Sequence, residues 1–233
     1  MRKILMTALF ALIFTRTAYC ADMTWDDAKK QQDALRINVF VVASNVSSIT
    51  EEGWLEAARL MKNLGVTGVY LDVYRGGVFP SKEALEKARD ILRGQGLEVW
   101  AGITTTKGEG FGVADPFSAY WLCYNEPATQ KAMEERVRFA AALFDKLIVD
   151  DFLSTNCKSA SSAAEKGGRS WSGYFRDVMV EASRKWIVEP AHAQNPKVRV
   201  IIKYPQWYDR FHRFGYDVVR QPEIFDGVWV GTE

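Results

Sequence analysis

The run Leu147-Ile148-Val149-Asp150-Asp151-Phe152 ends an apolar stretch of strand length on two adjacent carboxylates. Charge taken out of water is costly unless it is partnered, so this pair marks a place where partners or chemistry are required. Strand alternation predicts that one side chain faces the mouth of the fold while the other meets a helix layer or a capping amide, with Asp151 the farther toward the mouth. The plain alternative is that one Asp merely caps the following turn. A further carboxylate, Glu233, follows Val228-Trp229-Val230-Gly231-Thr232. Two carboxyl groups on facing strand ends suit glycoside hydrolysis, in which one stays ionised as nucleophile or base and the other protonates the leaving oxygen. A solvated terminal side chain is the competing reading of Glu233.

Other polar groups sit in equivalent places. Ser44 and Asn45, Asp72 with Tyr74 and Arg75, and Thr104 to Thr106 each follow an apolar run. Ile201-Ile202-Lys203-Tyr204-Pro205-Gln206-Trp207-Tyr208 brings a cation and several rings to another such end. Lys203 there could bond sugar hydroxyls, form a Schiff base as in an aldolase, or simply pair with Asp72 or Asp151. Between Phe111 and Tyr124, the rings of Phe117, Tyr120, Trp121 and Tyr124 crowd together outside any periodic pattern. They read as a platform for sugar faces or as packing of a loop onto the body. The candidate substrate contacts are therefore Asp72, Arg75, Trp121, Tyr124, Lys203, Tyr204 and Trp207.

Cofactor and metal chemistry find no signature. The sequence has no CxxC, HExxH or HxH, and its two histidines are His192 and His212, so neither a cofactor nor a metal centre is expected. With 30 basic and 29 acidic residues, nothing electrostatic points to nucleic acid or an anionic membrane. Eight tryptophans in a nearly neutral chain suggest an uncharged polar ligand, and carbohydrate fits.

The elements that must position these groups alternate regularly. Strands are predicted at Ile37 to Ala43, Gly68 to Tyr74, Leu97 to Ile103, Lys146 to Phe152, Val198 to Ile202 and Gly227 to Val230. Amphipathic helices fall between them. Thr50 caps one that carries Trp54, Ala58, Met61 and Leu64, and Ser81 caps one that carries Leu85, Ala88 and Leu92. Met133, Val137, Ala141 and Phe144 mark a third, and Trp171, Phe175, Val178 and Ala182 a fourth that ends by Asn195-Pro196. The segment from Trp207 to Phe214 reads as a short helix. No Gly-rich phosphate turn follows the first strand, which argues against an open doubly wound sheet. The fold class expected is α/β, a TIM-type (β/α)8 barrel with its site at the C-terminal strand ends. Six units fall short of eight. We expect a barrel truncated after the sixth strand, either a fragment, an early stop, or a barrel whose last strands come from elsewhere.

Arg2 and Lys3 before the apolar run Ile4 to Phe14 read as a signal peptide over residues 1–20, with cleavage between Cys20 and Ala21. Lipidation at Cys20 is the alternative, disfavoured by bulky Tyr19. Export to the periplasm or medium follows, with no membrane span after cleavage, a lead-in over 21–34 and the barrel over 35–233. Cys123 and Cys157 would then be free to pair, or to remain two buried thiols.

Three runs carry a resemblance over roughly residues 35 to 233: Asp150-Asp151-Phe152 with Thr155-Asn156-Cys157, Lys203 to Tyr208, and Phe225-Asp226-Gly227 through Gly231-Thr232-Glu233. They are similar to those of secreted bacterial TIM-barrel proteins classed as glycoside hydrolases. The resemblance implies the fold and the broad class and leaves the sugar open. Such proteins continue past Gly-Thr-Glu into further barrel, whereas this sequence stops there. Glycosidases with a nucleophilic Asp after strand four and an acid after strand six offer an analogy for Asp151 and Glu233. The readings that remain beside hydrolysis are a non-catalytic or degenerate glycan-binding barrel and a Lys203-dependent lyase or aldolase.

Overall fold

The computed structural model describes residues 24–31, 33–116, 118 and 120–231. The predicted signal peptide, Phe117 and Glu233 lie outside the described residues.

Six parallel strands pair in chain order to form a half-barrel: β1 (Ile37–Val41), β2 (Val66–Asp72), β3 (Glu98–Ile103), β4 (Lys146–Val149), β5 (Arg199–Tyr204) and β6 (Gly227–Val230). Eight helices accompany them among the described residues: α1 (Trp25–Lys30), α2 (Ala43–Ser48), α3 (Glu51–Asn63), α4 (Lys82–Gly94), α5 (Pro127–Leu143), α6 (Ala160–Lys166), α7 (Trp171–Ala182) and α8 (Glu189–Gln194). The predicted caps form, with Thr50 Oγ1 accepting from Gly53 N at 3.1 Å and Ser81 Oγ from Ala84 N at 3.1 Å.

Alternation along each strand divides the molecule into two layers. Val69 and Leu71, Val99 and Ala101, Leu147 and Val149, Val200 and Ile202 turn outward and bury with Trp54, Leu85, Met133, Val137, Phe175 and Met179 of the helices. The inner face is a smaller apolar cluster of Tyr70, Trp100, Ile148 and Ile201, with Phe40 packed beside it and Trp229 edge-on to Tyr70 at 5.4 Å. Two inner positions must be glycine. A Cβ on Gly68 would lie 2.4 Å from the Trp100 ring, and one on Gly102 would lie 2.4 Å from the ring of Phe40.

Several predicted boundaries shift. β1 stops at Val41, and Ala43–Ser48 winds into α2, so Ser44 and Asn45 belong to a helix. Within the expected Ser- and Ala-rich loop, Ser159 accepts from Ser162 N and caps α6. From Trp207 to Phe214 only Phe211–Arg213 forms a helical turn. The long fourth helix is broken by a π-helical segment, Ser183–Val188. Pro190 lacks an N–H for the carbonyl four residues earlier, which an α register would require. Ser183 Oγ donates to Met179 O at 2.7 Å and accepts from Gln221 Nε2 at 3.0 Å, satisfying the widened turn.

Cys123 and Cys157 form a disulfide. It joins the long β3–α5 loop to the loop after β4. The same two loops meet where Thr155 Oγ1 donates to Leu122 O at 2.9 Å.

Candidate active site

Parallel register gathers the polar strand ends. Ile103 is level with Val149, and Val149 with Ile202, so Thr104, Asp150 and Lys203, one residue farther on, form a layer at the C-terminal edge of the half-barrel. Asp72, the last residue of β2, joins them. Arg75 donates from Nε to Asp72 Oδ2 and from Nη2 to Asp150 Oδ2, each at 2.9 Å. Thr104 Oγ1 lies 3.3 and 3.2 Å from the same two oxygens. Lys203 Nζ stands 3.3 Å from Asp150 Oδ1 and 3.0 Å from Asp151 Oδ2. Two cations and one hydroxyl thus bind three carboxylates into one cluster.

Both members of the Asp150-Asp151 pair approach Lys203, which corrects the expectation of opposite faces. Alternation lapses because β4 ends at Val149. Asp150 N still donates to Ile103 O at 2.9 Å, but Phe152 N then turns back to Asp150 O at 2.7 Å, bringing Asp151 to the same side. Lys203 pairs with Asp150 and Asp151, and Asp72 takes Arg75 instead.

Depth separates the carboxylates. The side chains of Asp72, Asp150 and Asp151 are 0%, 10% and 15% exposed. Burial pushes the Asp72 pKa up to about 7; Arg75 opposes the shift and neighbouring Asp150 adds to it. Behind the pair, buried Tyr216 donates its hydroxyl to Asp151 O at 2.6 Å, and Thr155 N donates to Phe214 O at 2.9 Å. The loops after β4 and β5 are thereby locked together at the carboxylates. Tyr216 escaped the sequence reading because it belongs to no periodic run.

An aromatic cleft opens beside the cluster. Trp121, Trp207 and Phe214 pack with ring centroids 4.5 to 6.2 Å apart, and with Tyr120, Phe152 and Arg210 they line a cavity of about 550 Å³. That volume lies within the range of small-molecule sites. Phe152, Arg210 and Phe214 were missed because one is the neighbour of a stronger signal and the others sit in irregular chain. Two predicted contacts need correction. Tyr124 is 1% exposed and Tyr204 3% exposed, and both belong to the outer core. Tyr204 packs on Phe211 and Tyr216, because its position on β5 points opposite to that of Lys203. Among the described residues no group of three or more His, Cys, Asp or Glu is arranged to hold a metal ion, and no helix is long and apolar enough to cross a membrane.

A family model described as "Probable glycosyl hydrolase, catalytic domain" matches residues 24–233. The chain belongs to that family. This glycosyl hydrolase domain is 27% identical over 220 residues to an uncharacterised protein of Saccharolobus solfataricus, covering 85% of the chain and 37% of that protein. Its fold is shared with an exo β-N-acetylglucosaminidase of Vibrio harveyi (TM-score 0.55, 8% identity, 84% of this chain and 38% of that one). It is shared equally with the α-galactosidase AgaA of Geobacillus stearothermophilus (TM-score 0.54, 12% identity, 85% and 31%). A β-N-acetylhexosaminidase of Bacteroides fragilis aligns at a TM-score of 0.54 and 10% identity, over 77% and 46%. At those identities the likeness concerns the half-barrel alone. The domain spans less than half the length of each of these four proteins.

Proposed function

We propose that the glycosyl hydrolase domain cleaves an extracellular or periplasmic poly- or oligosaccharide by a two-carboxylate, retaining mechanism. Asp150 or Asp151 is the attacking carboxylate and Glu233 the acid/base. The observation that carries this reading is the convergence of Asp150 and Asp151 on Lys203 at the strand ends, next to a ring-lined cleft. Arg75, Thr104 and Lys203 orient the Asp pair. Attack of one carboxylate on the anomeric carbon forms a glycosyl ester as the leaving oxygen takes the proton of Glu233. Glu233 then deprotonates the water that breaks the ester and recovers its proton. Trp121 and Trp207 offer faces to sugar rings. The Cys123–Cys157 disulfide supports export, since such bonds persist in oxidising compartments. The two carboxylates at Lys203 compensate an ammonium charge, whereas a Schiff base requires the neutral amine, so the lyase reading gains no support.

Hydrolysis of a panel of polysaccharides, followed by reducing-sugar release, tests the assignment. Asp150→Asn, Asp151→Asn and Glu233→Gln are compared with the parent chain. The substitution at the attacking carboxylate is expected to lower kcat/KM at least about 1,000-fold, and Glu233→Gln about 100-fold or more. Unchanged hydrolysis in all three variants would refute the assignment.

A further inference from the structure

Net charge averages over a whole chain and conceals what one cleft presents. Across Phe214 from the aromatic cleft lies a second cavity of about 480 Å³, whose walls include Lys158, Trp171, His212, Arg213 and Phe214 itself. No carboxylate lines it. Lys158 Nζ stands 5.6 Å above the Trp171 ring, and Lys166 Nζ stands 5.4 Å from the same ring. Arg169 and Arg220 both pair with Asp177, and Arg138 pairs with Glu134. Among the described residues Lys158 and Arg213 lie in no ion pair, and both are exposed. Their loops follow β4 and β5, after Asp150 and Asp151 on one side and Lys203 on the other, and are tied together by the Thr155–Phe214 hydrogen bond.

The geometry points to a subsite for an acidic sugar unit: we infer that the glycan bears carboxylate or sulfate groups, which Lys158, Arg213 and His212 receive while Trp171 supports the ring. The inference rests on the glycosidase reading and replaces the uncharged ligand suggested by overall composition. Charge complementarity carries it. A neutral pyranose offers these two cations only hydroxyl dipoles, whereas an anionic one forms charge-assisted hydrogen bonds with them. Phe214 forms a wall of both cavities, so the acidic unit would adjoin the aromatic cleft on the far side of that ring.

Calorimetric titration tests the subsite without requiring turnover. The probes are tetragalacturonate, its fully methyl-esterified form, a sulfated κ-carrageenan tetrasaccharide and a neutral agarotetraose. Galacturonate, or the sulfated probe, is expected to bind at least about tenfold tighter than its neutral counterpart, and to weaken as salt is raised. The double variant Lys158→Gln, Arg213→Gln should abolish that preference while keeping the parental melting temperature. Which acidic probe prefers the groove separates carboxylate from sulfate recognition. Equal binding of charged and neutral probes, absence of binding by both acidic probes, or a preference that survives the double variant would overturn the inference. Hydrolysis of a neutral glycan with no acidic binding would remove this subsite and leave the glycosidase reading standing. Acidic binding with no hydrolysis of any glycan would do the reverse.

Discussion

Asp72 shows how one buried group can shape the behaviour of a cluster. Its carboxyl is fully enclosed and shares both Arg75 and Thr104 with Asp150. Because burial raises its pKa from 3.8 to about 7, the folded state holds a proton that the unfolded state has released. Asp72 therefore contributes stability that is present below about pH 4 and is lost as pH rises through about 7. For Asp72→Asn, the melting temperature relative to the parent should climb between those limits and level off above them, as followed by circular dichroism. A difference that stays flat with pH, or that falls, would contradict the raised pKa. At this scale the sequence was informative about identity and less so about direction. Asp72, Arg75, Asp150, Asp151 and Lys203 were all singled out from their places after apolar runs, and all five meet. Which carboxylate pairs with which cation depends on where β4 ends, a matter of one residue that no pattern of hydrophobicity resolves.

At the scale of elements, capped helices and β-branched runs were legible because local chemistry and packing agree there. Every predicted strand exists, and the helices marked by Thr50 and Ser81 start where those side chains cap. What was not legible follows from tertiary context. α2 and α6 are too short to show a hydrophobic period, and the π-helical turn is defined by a proline and by a partner, Gln221, that is distant in sequence. The aromatic residues of the β3–α5 loop divide for the same reason. Tyr124 turns inward beside the disulfide while Trp121 meets Trp207 and Phe214 from another loop. The disulfide closes a sequence separation of 34 residues, so replacing both Cys123 and Cys157 with Ser should cost about 3 to 4 kcal/mol, mostly through a freer unfolded chain. Urea unfolding measures it, and a loss below about 1 kcal/mol would mean that hydrogen bonds such as Thr155–Leu122 already hold the two loops.

For the whole molecule, sequential parallel pairing of six βα units places Asp72, Thr104, Asp150, Asp151 and Lys203 at one edge of a half-barrel. Residues separated by 131 positions, Asp72 and Lys203, enter one cluster solely because adjacent strands run in register. The αβ repeat was readable from the spacing of apolar runs, and the family match over residues 24–233 agrees with it. The central claim is that a carboxylate after β4 attacks the sugar. Trapping with an activated 2-deoxy-2-fluoro glycoside of whichever sugar the chain hydrolyses, followed by reduction, trypsin digestion and mass spectrometry, tests this most directly. The glycosyl label is predicted on the peptide from Leu147 to Lys158, at Asp150 or Asp151. A label on a different peptide, or turnover of the natural glycan with no residue ever labelled, would contradict it.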